Sequence, residues 1–113
     1  MAHAEPLTGE QIEQRLAGLD GWARRGDEIV KTFAHTYHEC MHLAMYVAAK
    51  AREVGHHPDM DIRWQRITFR ITTHDAGHRI TDLDFDLARH IDAIAVAHGA
   101  KVAPPVDDGA ALP

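Results

Sequence analysis

The chain predicts an α+β domain: a four-stranded antiparallel sheet with three helices packed on one face, in the order α-β-β-α-β-β-α. Three observations predict it. Stretches with apolar residues at helical spacing begin at Thr8, Thr36 and Thr81, each beside a turn or strand end. Ile67, Phe69 and Ile71 alternate with Thr68, Arg70 and Thr72, the period-2 pattern of a half-buried strand. Gly26-Asp27 separates two short strand-like runs, a hairpin signal. Helices of this kind segregate to one face of an antiparallel sheet.

Each element has a local cause. Thr8-Gly9-Glu10-Gln11 is a capping-box pattern, in which a hydroxyl and an amide three residues on satisfy two backbone N–H groups. Ile12, Leu16 and Leu19 follow at helical spacing, and Gly21 ends that helix. Trp22 to Arg25 and Glu28 to Ala34 read as two strands. Thr36-Tyr37-His38-Glu39 is a second capping box. It opens a helix to about Val54, with Gly55 as its stop. Two apolar rows run along this helix: Tyr37, Met41, Ala44, Ala48 and Ala51, then Leu43, Val47 and Val54. A helix on the outside of a monomer needs one stripe. Two predict packing on the sheet and on a neighbouring subunit; one wide core-facing stripe is the alternative. Met60 to Trp64 and Ile67 to Thr73 read as two more strands. Thr81-Asp82-Leu83-Asp84 starts a third helix, with Leu83, Leu87, Ile91 and Ile94 as its buried face and Gly99 as its stop.

Residues 1–6 read as a flexible N-terminus and 7–100 as the domain. Residues 101–113 read as a disordered tail, because few large apolar residues stand beside Pro104-Pro105, Asp107-Asp108-Gly109 and Pro113.

Composition narrows the function classes. The chain has 113 residues, one domain's worth, and 45% are hydrophobic, enough for an ordinary core. A domain this small buries proportionally less surface, so a homodimer or homotetramer is expected. Net charge is −5 and no Lys/Arg cluster forms a stripe, which disfavours nucleic acid as a partner. The single Cys40 excludes an internal disulfide and a thiolate metal set. No long apolar run spans a membrane, and no secretory leader opens the chain. A soluble, cytoplasmic protein is expected.

The richest stretch for chemistry is His56-His57-Pro58, followed by Thr73-His74-Asp75-Ala76. Imidazole gives or takes a proton near neutral pH, so three around one hairpin suggest acid–base work on a small molecule. Pro58 biases His57 toward extended backbone, which points the two adjacent rings in different directions. Two exposed loop histidines are the plain alternative. Thr73, Asp75 and Ala76 can offer backbone groups to a flat heterocycle. Asp84 sits at the third helical position after Thr81, where a carboxylate also completes a capping box. Trp22 and Trp64 each read as core or as a ring platform. His38 and His42 lie four apart on one helix, but no third metal ligand is evident.

The ordered set of His56-His57-Pro58, an aromatic at Trp64, Thr73-His74 and Asp84-Phe85-Asp86-Leu87-Ala88 resembles the pterin-4a-carbinolamine dehydratase family. Leu7-Thr8, Gly21-Trp22 and Phe33 fit as flanking text, so the likeness covers roughly residues 7–98. It departs in two places. Arg52 stands where the family carries an acidic residue, with Glu53 one position later, and His78-Arg79 lengthens the segment before Asp84. The resemblance implies the same fold and a dehydratase needing no cofactor and no metal. It implies His56, His57, His74 and Asp84 as catalytic residues on a pterin substrate, with Asp82 the rival for Asp84 if the extra residue lies elsewhere and Glu53 a further candidate carboxylate. It places Trp64 as a pocket wall, with Pro58, Thr73, Asp75 and Ala76 binding substrate. A scaffold that binds a protein partner through its oligomerisation helix is the rival reading. A metalloprotein drawing on the ten histidines is a third.

Overall fold

The computed structural model describes residues 4–104. Helix α1 (Gly9–Ala17) is followed by strands β1 (Ala23–Arg25) and β2 (Glu28–Ala34), then helix α2 (Tyr37–Val54). Strands β3 (Asp59–Arg63) and β4 (Arg66–Ile71) lead to a short 3-10 turn, His74–Ala76. Helix α3 (Asp82–Ala97) and a last strand, β5 (Lys101–Ala103), complete the fold.

The sheet is antiparallel throughout, in the order β1-β2-β4-β3. Strand β2 aligns Ile29 with Ile71 and Phe33 with Ile67, so their side chains share one face. That face carries the core. Ile29, Phe33, Ile67, Phe69 and Ile71 join Ile12 of α1, Leu43 and Val47 of α2, and Phe85, Leu87 and Ile91 of α3 in one buried cluster. Lys31 lies on the same face and is buried. Its ammonium meets the Asp92 carboxylate at 2.7 Å and the Asp20 carbonyl at 2.8 Å, which offsets its desolvation. Trp22 is core, and its indole N–H donates to Asp92.

Thr8 and Gln11 form the capping box that the sequence predicts, and Thr36 caps α2 by accepting from the Glu39 N–H. On α2 the buried stripe is Cys40, Leu43, Val47 and Ala51, whereas Tyr37, Met41 and Val54 are exposed. On α3 the expected core position Leu83 is exposed and Phe85 is buried instead. The 3.6-residue repeat tilts the buried stripe away from Leu83.

The domain boundary expected at residue 100 moves. Lys101–Ala103 do not begin a disordered tail: they pair antiparallel with β2, Thr32 opposite Ala103 and Ala34 opposite Lys101. Strand β5 shares the β1 edge of β2, end to end with it, because β4 occupies the other edge. A three-residue strand has too little periodicity to read from sequence, and the free edge of β2 supplies its stability. The remainder of the expected tail, 105–113, and residues 1–3 lie outside the described residues. No helix among the described residues is long and apolar enough to cross a membrane.

Candidate functional site

An open cleft of about 350 Å³ lies where the C-terminus of α2 meets the loop between β4 and α3. Its walls include His56, His57, Pro58 and Asp59 on one side and Thr73, His74, Asp75 and Ala76 on the other. Its volume is that of a small-molecule site, near the lower end of the usual range.

The first wall is built by a helix stop. Gly55 adopts φ 74°, and its N–H and that of His56 both return to the Ala51 carbonyl. A side chain at Gly55 would meet nothing, so the glycine is there for its left-handed backbone rather than for room. The chain reverses, and His56 turns inward while His57 stays exposed. The His56 Nε2 meets the Asp84 Oδ1 at 2.6 Å.

Asp84 is fully buried. A buried carboxylate persists when donors surround it. Here the Thr81 N–H donates to Oδ2 at 2.9 Å and the Thr73 hydroxyl to the same oxygen at 3.0 Å. The Thr81 and Thr73 hydroxyls lie 2.7 Å apart, and the Leu83 N–H donates to Thr81. Since the Thr73 proton goes to Asp84, Thr81 must donate to Thr73, which gives the chain one direction. Asp84 therefore completes the capping box of α3 and holds His56 as well. With Nε2–H committed to the carboxylate, Nδ1 is the His56 nitrogen left to take a proton.

The second wall is a small loop. Thr73 and Arg79 exchange backbone hydrogen bonds, closing the segment between them. His74 opens the 3-10 turn there, exposed, with its Nδ1 2.8 Å from the Nδ1 of His78.

Among the expected site residues, His56, His57, Pro58, Thr73, His74, Asp75 and Ala76 line one cleft, with Asp84 behind His56. Thr73 is buried and its hydroxyl is committed to Asp84, so it supports the site more than it faces a ligand. Trp64 is not brought in. It lies past the far end of β3, about 16 Å of extended strand from Asp59, exposed and stacked on Tyr37. It occupies the hairpin turn, at φ 54°, at the end of β3 opposite Asp59. Glu53 pairs with Lys50 and Asp82 with Arg15; neither joins the cleft lining.

Sequence reasoning missed Thr81 as part of the carboxylate network, Val54 and Leu83 as apolar walls, and His78 as the partner of His74. The capping-box pattern was a signal for Thr81. No sequence signal set Leu83 apart, because its spacing put it on the buried face of α3. Ala4, expected in a flexible segment, also lines the cleft.

Other titratable groups are occupied elsewhere. The hydrogen bond from His42 holds the Glu39 carboxyl below its ordinary value. Burial pushes the Cys40 thiol up, away from thiolate chemistry. Among the described residues no three His, Cys, Asp or Glu side chains converge as a metal set.

Known proteins share this arrangement of chain. The family model described as pterin 4 alpha carbinolamine dehydratase matches residues 5–94. A Roseiflexus sp. (strain RS-1) protein, provisionally named pterin-4-alpha-carbinolamine dehydratase, is 48% identical over 92 residues. The match covers 80% of this chain and 98% of the relative. A Nocardia farcinica (strain IFM 10152) protein with the same provisional name is 47% identical over 92 residues, 80% of this chain and 96% of the relative. A crystal structure from Brucella melitensis, titled transcriptional coactivator/pterin dehydratase, superposes with a TM-score of 0.75 at 26% identity. It covers 80% of this chain and 99% of that one.

Proposed function

The chain belongs to the pterin 4 alpha carbinolamine dehydratase family, and we propose that it removes water from a 4a-hydroxytetrahydropterin to give the quinonoid dihydropterin. One observation carries this reading: a single cleft takes His56 and His57 from one wall and His74 from the other, with a buried carboxylate behind His56. In the reaction the bond from carbon 4a to its hydroxyl oxygen breaks as a proton reaches that oxygen. The lone pair of the neighbouring ring nitrogen forms the C=N bond, and that nitrogen releases its proton. The C–O bonding pair departs with the oxygen as water, the only molecule lost, so the step needs no oxidant or reductant.

His56 and His74 exchange those two protons across the cleft, and His57 binds the ring and orients it. Each positioned acid or base contributes about 10²–10⁴-fold. Asp84 holds the His56 ring and balances the charge when its Nδ1 takes a proton. In this reading, backbone groups of Asp75 and Ala76 and the Pro58 ring, all in the cleft lining, meet the flat face and edges of the substrate.

The test is a stopped-flow dehydration assay with a synthetic 4a-carbinolamine, comparing wild type with His56→Ala and His74→Ala. Wild-type turnover lost in both variants supports the reading. A wild-type rate equal to the uncatalysed one overturns it.

A homo-oligomer joined through α2 is the second reading, favoured by the exposed Tyr37, Met41 and Met45 along that helix. Ala48→Glu, an exposed position on the same helix, should then elute later from a sizing column while remaining folded. An unchanged volume removes this interface, and with it the surface on which a protein partner would compete.

A further inference from the structure

We propose that His78 is a positioning residue for His74: it accepts the His74 Nδ1–H and thereby reserves Nε2 for the substrate. The inference rests on the dehydratase reading of the cleft. His78 does not line the cleft, yet its Nδ1 lies 2.8 Å from the Nδ1 of His74, with the two rings at 90°. Two lone pairs at that separation repel, and so do two N–H groups. One proton, and only one, therefore sits between them. Its place on His74 is the useful one. Nε2 can then give up a proton and regain it while the Nδ1–H stays fixed, so the ring keeps its orientation through the cycle.

The backbone points the same way. Gly77 and His78 are both left-handed, at φ 76° and 60°. A glycine at the second position would adopt that conformation more cheaply than histidine does. The turn that they form lets Thr73 and Arg79 pair, which folds His78 back over the start of the loop and onto His74. His78 thus takes a conformation uncommon for any residue but glycine, and its polar contact is the other histidine of the loop.

Two substitutions separate this role from a structural one. His78→Gly suits the backbone and removes the acceptor. His78→Asn tolerates the left-handed conformation, and its amide oxygen stands on Cγ, where Nδ1 stood. The expected result is a fall of about tenfold in kcat with KM nearly unchanged for His78→Gly, the usual scale for losing a residue that orients a working imidazole. His78→Asn should recover most of it. In a His74→Ala background, His78→Gly should cost nothing further, because its effect passes through His74. Full kcat in His78→Gly, no recovery in His78→Asn, or an independent further loss in the double variant would each overturn the proposal.

Nitrogen-15 spectra of the His74 ring are read in parallel. They should show protonated Nδ1 in wild type and a changed pattern in folded His78→Gly. If wild type fails to dehydrate the carbinolamine, the reading of the cleft falls. The spectra alone then decide the role of His78, an unchanged His74 pattern rejecting it.

Discussion

The two walls of the cleft hold the same kind of side chain by opposite means. His56 is mostly buried and rests on Asp84, whose oxygens also take the Thr73 hydroxyl and the Thr81 N–H. That wall is part of the fold, because the same hydrogen bonds cap α3 and join it to the end of β4. His74 is exposed, on a short turn, in contact with a second exposed histidine. Beyond Thr73, that wall is a loop closed on itself by the backbone hydrogen bonds between Thr73 and Arg79. A fixed carboxylate can balance a positive imidazole; a neutral ring orients one without balancing it. If both rings carry the protons as proposed, stability and chemistry are coupled at His56 and separable at His74.

The sharpest break of this contrast is Asp84→Ala. It strands the His56 N–H, the Thr73 hydroxyl and the Thr81 N–H in a buried place. Unfolding in urea should show a loss of about 3 kcal/mol or more, with a fall in kcat/KM beside it. A variant as stable as wild type would place both walls on the same footing. His74→Ala comes next for the whole enzyme and should show the reverse pattern. The barrier should rise by about 3–5 kcal/mol, or 10²–10⁴-fold in rate. Unfolding stability should move by less than about 1 kcal/mol. A stability loss large enough to explain the rate loss would make His74 structural.

Thr73→Val sharpens the line between the walls. Thr73 precedes His74 in the chain, but its hydroxyl belongs to Asp84. Removing it should cost about 1–2 kcal/mol. In double variants it should couple to His56→Ala and add independently to His74→Ala. Coupling to His74 instead would redraw the boundary. The smallest effect is expected from shortening the chain after Ala100. Strand β5 buries Ala103 and pairs with β2 away from both walls. Its loss should cost about 1 kcal/mol, near 5 °C in Tm for a domain of this size, with kcat/KM unchanged. A Tm that stays put would return Lys101–Ala103 to the dispensable tail.

Much of this was legible in the residues. The caps at Thr8, Thr36 and Thr81, the stop at Gly55 and the alternation from Ile67 to Ile71 act within a few residues of themselves. Their outcome does not wait for the rest of the chain. The gathering of His56, His57 and His74 was legible for a related reason, since one hairpin links them. Strand β5 was not, because its stability comes from the edge of β2, some seventy residues earlier in the chain. Trp64 lies outside the cleft lining and stacks on Tyr37, a placement that likeness of spacing does not carry. A hairpin of fixed length puts its turn at the far end of the sheet from its entry, whatever residue occupies it.

The sequence by itself determined the order of elements, the antiparallel hairpins and the imidazoles at the cleft, since each follows from neighbours in the chain. The tertiary structure alone decided what stands behind each imidazole. Asp84 reaches His56 only because α3 packs against the end of α2. His78 reaches His74 only because two left-handed residues fold their loop closed. A hydrogen bond requires its partners within about 3 Å and in line, and only the packed elements bring groups distant in the chain to that tolerance.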